Sequence, residues 1–141
     1  MAQHIPYTPG LVYLHTMHNA VEATVAIGAA KAQLCAGAKA IALQFTENAT
    51  VNNRSGVLAV AVSVDGGSTF YTYNMLISNV ANTNSQTLTR VASVTRAAAG
   101  TDVIFFDPDT LGAITHFKVS ITITDGAVPT GSFTINAAIK Y

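Results

Sequence analysis

The chain has 141 residues, of which 50% are hydrophobic and only 10% are charged, and its seven basic side chains balance seven acidic ones. This length fits one domain, the scattered basic residues offer no track for a phosphate backbone, and no apolar stretch reaches the roughly 20 residues that span a bilayer. We therefore expect neither a nucleic-acid partner nor a membrane. Charged residues usually make up about 25% of a globular chain, so this shortage of charge predicts a subunit that associates with other subunits.

The first residues of the chain predict an extended arm. Pro6 and Pro9 each lack a backbone donor, and each biases the preceding residue toward extended backbone. We therefore expect an extended N-terminal arm at residues 1–18, followed by one β domain at residues 19–141. Residues 1–20 lack the pattern of a signal peptide, and Cys35 is the only cysteine. These two features predict production in a reducing cytoplasm.

Alternation of apolar and polar residues predicts strands through most of the remaining chain. Residues 21–27 favour a strand that Gly28 ends, whereas residues 29–36 leave a helical turn and a further strand both open. Further strands are expected at residues 41–46, 57–64, 70–77, 87–95 and 102–106. The last two strands, at residues 117–124 and 133–140, are expected to form a terminal antiparallel hairpin. This series predicts an all-β fold, a single antiparallel β-sandwich of jelly-roll type.

Residues 63–70, Ser-Val-Asp-Gly-Gly-Ser-Thr-Phe, predict a tight hairpin between two of these strands. Asp-Gly between two alternating runs is the strongest short-range signal for a hairpin. The Asp65 carboxylate can accept hydrogen bonds from the backbone N–H groups ahead of it, and glycine adopts positive φ without steric cost. The residues expected to hold this turn are Ser63, Asp65, Gly67, Thr69 and Phe70.

Residues that could carry chemistry are few. His15 and His18 would share a face on a helix and could then hold zinc, but on a strand or arm they diverge. Aspartates in the later loops could bind calcium, although turn formation accounts for each of them. The sequence contains no nucleophile elbow, no phosphate-binding loop and no positioned pair of glutamates. We therefore predict a non-enzymatic protein with no catalytic, cofactor-binding or metal-binding residues.

Two resemblances add to this interpretation. Ser63, Asp65, Gly67, Thr69 and Phe70 match the Asp-box, a hairpin motif of sialidase propellers and other β proteins in which the motif is structural. A broader resemblance covers residues 38–141, and its stretches are residues 39–47, 56–70, 73–77, 86–91 and 131–141. These stretches look like small β-sandwich virion proteins of tailed bacteriophages, especially head decoration (cement) proteins.

The phage resemblance implies a homo-oligomer, often a trimer, seated on the capsid lattice where it resists internal DNA pressure. It implies the major capsid protein or other virion subunits as partners, and the virion as the location. The alternative is a tail- or fibre-associated carbohydrate-binding module, for which Tyr71 and Tyr73 share one strand face with suitable spacing. The uncharged residues 68–89 and the arm at residues 1–16 are the expected contact surfaces. The candidate interface residues are Tyr7, Tyr13, Tyr71, Tyr73 and Met75.

Overall fold

The computed structural model describes residues 10–48, 55–78, 88–124 and 132–141. Within these ranges the predicted all-β class is confirmed, because the strands form two antiparallel sheets and the helical residues are a single 3-10 turn at Leu111–Ala113. The strands are β1 (Val12–Val21), β2 (Gln33–Leu34), β3 (Ala40–Glu47), β4 (Ser55–Ser63), β5 (Tyr71–Tyr73), β6 (Met75–Ser78), β7 (Leu88–Val91), β8 (Ser93–Arg96), β9 (Gly100–Phe105), β10 (His116–Thr124) and β11 (Phe133–Lys140).

The two sheets share the strands unequally. The larger sheet has the order β1-β11-β3-β9-β6-β7, and the smaller sheet has the order β2-β10-β4-β5, with β8 also paired to β4. Strand β4 pairs with two strands along the same edge: β8 pairs with its first half and β5 pairs with its second half. This arrangement is that of a β-sandwich, and the jelly-roll connectivity stays a prediction.

The predicted terminal hairpin is wrong. Strand β10 pairs with β4 and β2 in the smaller sheet, whereas β11 pairs with β3 and β1 in the larger sheet. Each strand has one apolar face, as predicted, and Phe117 on β10 and Phe133 on β11 are both fully buried. The alternation of residues fixes which side of a strand is buried, but two such strands can equally pair in one sheet or lie in opposite sheets.

The N-terminal half of the chain also differs in places from the predicted elements. Residues 12–18 of the predicted arm belong to β1, which pairs with β11 along the edge of the larger sheet, and residues 1–9 lie outside the described residues. The strand predicted at residues 21–27 is reduced to a single bridge between Val25 and Ile121. The strand predicted at residues 87–95 is two strands, which join different sheets on either side of Ala92.

Aromatic rings fill the space between the sheets. The Phe106 ring stacks on Tyr73 at a centroid distance of 4.9 Å and meets the edge of Phe117 at 5.2 Å. The Phe133 ring lies 5.8 Å from Phe45. Side chains of this size account for much of the free energy of burial, so these rings hold the sheets together.

Candidate functional site

The turn between β4 and β5 is a network of hydrogen bonds around two side chains. The buried Ser63 hydroxyl donates to Asp65 Oδ1 at 2.7 Å and accepts from the Gly67 N–H at 2.9 Å. Asp65 Oδ1 also accepts from the N–H groups of Ser68 at 3.1 Å and Thr69 at 2.9 Å. Gly66 and Gly67 have φ of 80° and 93°, which side chains with a Cβ rarely adopt. The residues predicted to form this turn therefore lie together in it.

These hydrogen bonds favour the ionised form of Asp65. The Ser63 hydroxyl is the largest cause and the Thr69 backbone N–H the next, and with the Thr69 side chain and the Ser68 N–H they lower the pKa of the Asp65 carboxyl to about 2. From the other side, the Thr115 hydroxyl accepts from the Gly66 N–H and donates to the Ser63 carbonyl, so the turn is tied to the start of β10. The turn is a structural device, because each group near Asp65 is occupied in shaping the backbone.

The last residue of this motif, Phe70, makes a contact outside the turn. The Phe70 ring is half-buried, and the Lys118 ammonium lies 4.5 Å from its centroid. A cation over an aromatic face contributes about 0.5–1 kcal/mol at an exposed position. Phe70 therefore anchors the turn to the outer face of the smaller sheet.

The histidines weighed as zinc ligands lie on β1. His18 is buried and its Nε2 donates to the Val119 carbonyl at 2.7 Å, which links β1 of the larger sheet to β10 of the smaller one. Burial and the nearby Lys31 lower the pKa of His15. In the part of the chain that the structure describes, no group of three or more His, Cys, Asp or Glu side chains is placed to hold a metal ion.

The Asp107-Pro108-Asp109 turn is closed by its own side chains. Asp107 Oδ1 accepts from the Asp109 N–H at 3.0 Å, and Oδ2 forms an ion pair with Arg90 at 2.7 Å. The hydrogen bond and charge of Arg90 lower the pKa of Asp107. The Tyr73 hydroxyl accepts from the Asp107 N–H at 2.8 Å and contacts the Thr110 hydroxyl at 2.8 Å. Both Asp107 carboxylate oxygens therefore have structural partners.

The candidate interface tyrosines have different positions in the structure. Tyr7 lies outside the described residues. Tyr13 is half-buried, and its ring meets the edge of the Tyr141 ring at 6.0 Å. Tyr71 is exposed, at 59% of its surface, whereas Tyr73 is only 7% exposed.

Contrary to the prediction, Tyr73 and Met75 belong to the core. Tyr71 and Tyr73 are opposite Val62 and Val60 on β4, so they do share a face, but this is the inner face of the smaller sheet. Tyr73 is covered by Phe106, whereas Tyr71 lies at the margin of the sandwich and stays exposed. The next strand, β6, belongs to the larger sheet, where Met75 is fully buried.

A feature that sequence analysis missed lies on the outer face of the larger sheet. Strand register places Leu14 opposite Ala138, Ala138 opposite Ala42, and Ala42 opposite Phe105. Leu76 is in turn opposite Phe105. Since residues opposite each other share one face of a sheet, these five side chains form a line across five strands, here called the apolar row. Leu14 is 79% exposed and Phe105 is 38% exposed.

The apolar row borders two shallow depressions. The first has a volume of about 240 Å³, and its lining includes Leu14, Ala42, Val103 and Ala138. The second has a volume of about 370 Å³ and borders Phe105, and its lining includes Ala40, Leu76, Leu88, Phe105 and Pro108. Both depressions therefore include an alanine of β3 in their lining.

The rows on either side of the apolar row carry little charge. On one side Thr16, Asn136, Gln44 and Val103 are aligned by the same registers. Among the described strand residues of this face, the charged side chains are Lys140, at one end of β11, and Arg90 on the edge strand β7. Arg90 is opposite Leu76, at the end of the apolar row, and it pairs with Asp107. The middle of the face is neutral.

The five residues of the apolar row come from five strands that are scattered along the chain. Each residue is the outward member of an alternating strand, and such positions are expected to be polar in a sheet with one solvated face. Apolar residues at the outward positions of β1, β3, β9 and β11 were the available signal. Their alignment depends on strand order, which the sequence does not reveal.

Comparison with known proteins found no matching family model, no matching curated protein and no matching solved structure. In the described ranges, no helix is long and apolar enough to cross a membrane.

Proposed function

We propose that this chain is a non-enzymatic structural protein of a phage particle, a capsid decoration protein that stabilises the head by binding neighbouring subunits. The observation that carries the proposal is the apolar row on a neutral sheet face. Its phage context comes from the resemblance of residues 38–141 to decoration proteins.

Exposed apolar side chains favour contact with another surface. Burying apolar surface is favourable by about 25 cal/mol per Å², so covering Leu14 and Phe105 stabilises whichever assembly covers them. The centre of a tight interface is depleted of charge, because each unpaired charge would lose its hydration. A neutral face lined by apolar and amide side chains meets this requirement.

The face is also rigid before it binds. Strands β11, β3 and β9 lie inside the larger sheet, and each pairs with a neighbour on both sides. Ala138, Ala42 and Phe105 are therefore held on paired backbone, so that little conformational freedom is lost on contact. A preformed flat surface suits a protein whose work is adhesion.

The carbohydrate-binding alternative has lost its main support. It required two exposed rings on one strand, and Tyr73 is buried under Phe106. A single exposed Tyr71 is a common surface feature, so we do not propose glycan binding.

Quantitative mass spectrometry of purified particles tests the proposal. We expect the chain at a copy number that matches the capsid lattice, and its absence from particles would end the decoration hypothesis. A second experiment adds the purified chain to heads that lack it and measures DNA release on heating. The wild-type chain should raise the temperature of release, and a chain that binds no heads and leaves this temperature unchanged would contradict the proposal.

Matched variants assign the contact to a surface. Ala42→Arg places a charge in the apolar row, and Thr122→Arg places the same charge at an exposed position of β10 in the smaller sheet. We expect Ala42→Arg to reduce binding to heads and Thr122→Arg to bind as wild type does.

A further inference from the structure

We infer that the Asp65–Gly66 peptide bond is an isomerisation site that the folded turn protects, and that Thr115 contributes to this protection by binding the nitrogen that would attack. The inference concerns a covalent modification of the chain and does not depend on the proposed function. It follows from the sequence of the turn between β4 and β5 and from the hydrogen bonds around it.

An aspartate that is followed by glycine can rearrange through a cyclic imide. The Gly66 nitrogen attacks the protonated Asp65 carboxyl, the N–Cγ bond forms, and the amide proton leaves with the carboxyl hydroxyl as water. A water molecule then reopens the imide. When it adds to the main-chain carbonyl of Asp65, the bond from that carbonyl to nitrogen breaks, and the chain continues through Cβ and Cγ as isoaspartate. Glycine favours the attack because it has no Cβ to shield its nitrogen.

The nitrogen that would attack has a hydrogen-bond partner in the folded protein. The Gly66 N–H donates to Thr115 Oγ1 at 3.1 Å. The Thr115 hydroxyl is itself held in place, because it donates to the Ser63 carbonyl at 3.1 Å and contacts His116 Nδ1 at 3.2 Å. Formation of the imide removes the proton that Thr115 accepts. The reaction must therefore break the link between the turn and the start of β10.

The Asp65 carboxylate also has partners that the reaction would remove. Its Oδ1 accepts from the Ser63 hydroxyl at 2.7 Å and from the N–H groups of Ser68 and Thr69 at 3.1 and 2.9 Å. These bonds, that of Ser63 above all, lower the pKa of the carboxyl to about 2, so the protonated acid is at least about tenfold rarer at neutral pH than in the unfolded chain. The imide would offer a neutral carbonyl in place of the carboxylate, and hydrogen bonds to a neutral acceptor are weaker.

Isomerisation would also disrupt the turn itself. Isoaspartate adds one carbon to the main chain and moves the carboxylate away from the Ser68 and Thr69 N–H groups. The pairing of Val62 with Tyr71 lies just beyond this turn. A chain that isomerises while it is unfolded should therefore refold to a less stable protein than the unmodified chain.

The rate of isoaspartate formation tests the inference. The purified full chain and a synthetic peptide of residues 60–72 are incubated at neutral pH, below the unfolding temperature of the protein. Digestion with a protease that cleaves before aspartate but not before isoaspartate, followed by mass spectrometry, measures the product. We expect the folded chain to form isoaspartate at least about tenfold more slowly than the peptide.

Thr115→Val tests the role of the hydroxyl. The Ser63 carbonyl keeps the hydrogen bond that it accepts from the Thr115 N–H at 2.8 Å, so this variant removes the partner of the Gly66 N–H with little other change. We expect it to form isoaspartate severalfold faster than wild type. Thr122→Val, which removes an exposed hydroxyl farther along β10, is the matched control and should isomerise at the wild-type rate. Circular dichroism establishes that both variants are folded during the incubation.

Asp65→Asn separates the geometry of the turn from the charge of the carboxylate. Its amide can close the same ring with loss of ammonia, and hydrolysis of the imide then raises the mass of the chain by about one dalton. We expect this loss to be slower in the folded variant than in the matching peptide, and this comparison decides the question if Thr115→Val does not fold.

Two results would overturn the inference. Isomerisation of the folded wild type as fast as in the peptide would show that the turn gives no protection. Equal rates in folded wild type and folded Thr115→Val would show that Thr115 has no part in it.

Discussion

Replacing Gly56 by alanine should destabilise the sandwich, because a Cβ at this position would meet the ring of Phe133. Gly56 lies on β4 in the smaller sheet and Phe133 lies on β11 in the larger one. The added Cβ would be 2.7 Å from Phe133 Cε1 and 2.9 Å from Cδ1 and Cζ, closer than real Cβ contacts come. The ring is fully buried beside Phe45, so it cannot move aside into solvent. Overpacking of this kind costs about 1–3 kcal/mol of unfolding free energy.

Urea unfolding followed by far-ultraviolet circular dichroism measures this loss, since the chain has no tryptophan for fluorescence. Gly112→Ala is the matched control, because a Cβ there has nothing within 4 Å and the backbone is not left-handed. We expect this control to be neutral or to gain up to about 1 kcal/mol from reduced freedom of the unfolded chain.

A double-mutant cycle ties the effect to the contact between the sheets. Phe133→Leu alone should lose on the order of 1–3 kcal/mol by leaving a cavity, which the methyl group introduced by Gly56→Ala partly fills in the double variant. The double variant should therefore lose less than the sum of the two single changes, by about 0.5–3 kcal/mol. Strictly additive losses would refute the placement of β4 and β11 on facing sheets, as would a Gly56→Ala variant as stable as Gly112→Ala.

Three further predictions concern single groups. The pKa of Asp65 falls from 3.8 to about 2 on folding, so its contribution to stability is complete above about pH 4 and is lost as the pH falls toward 2. The melting temperature of Asp65→Asn should therefore change less than that of wild type over this interval. Burial raises the pKa of the Cys35 thiol to about 12, so a thiol reagent at neutral pH should modify Cys35 only after the chain unfolds. Rapid labelling of the native protein would contradict the burial of Cys35. Tyr73→Phe leaves the buried Asp107 N–H without its acceptor and should lower the free energy of unfolding in urea by about 1–3 kcal/mol. Tyr71→Phe should leave this free energy unchanged, and equal losses in the two variants would contradict the assigned hydrogen bond.

Local chemistry allowed the turn at residues 63–70 to be predicted from the sequence. The signal is contained within eight residues, and the turn depends on hydrogen bonds between neighbours such as Ser63, Asp65 and Thr69. Long strands such as β3 and β11 were predictable for a similar reason, since alternation is local. Their partners were not, because pairing is decided by how two sheets bury their inner faces together.

The candidate interface residues also show what a local sequence pattern leaves undetermined. Tyr71 and Tyr73 share a face, as their spacing predicts, but spacing does not tell an inner face from an outer one. Among the described strand residues, the aromatic residue on the outer face of the larger sheet is Phe105, which the sequence places in an ordinary strand beside Phe106. One of these neighbours must point outward because the side chains of a strand alternate.

The neutrality of the outer face follows partly from where the few charges of this chain are used. Arg96 on β8 pairs with Asp102 on β9 at 2.7 Å, and Arg90 on β7 pairs with Asp107, just after β9, at 2.7 Å. Both pairs therefore connect neighbouring segments of the chain. Because salt screens charges, a contact made through the apolar row should be nearly independent of ionic strength. Sulfate should strengthen the contact, because it favours the burial of apolar surface. Binding of the purified chain to heads that lack it, measured in sodium chloride and in sodium sulfate, distinguishes these effects. Binding that weakens as sodium chloride is added would mean that charged groups, and therefore a different surface, make the contact.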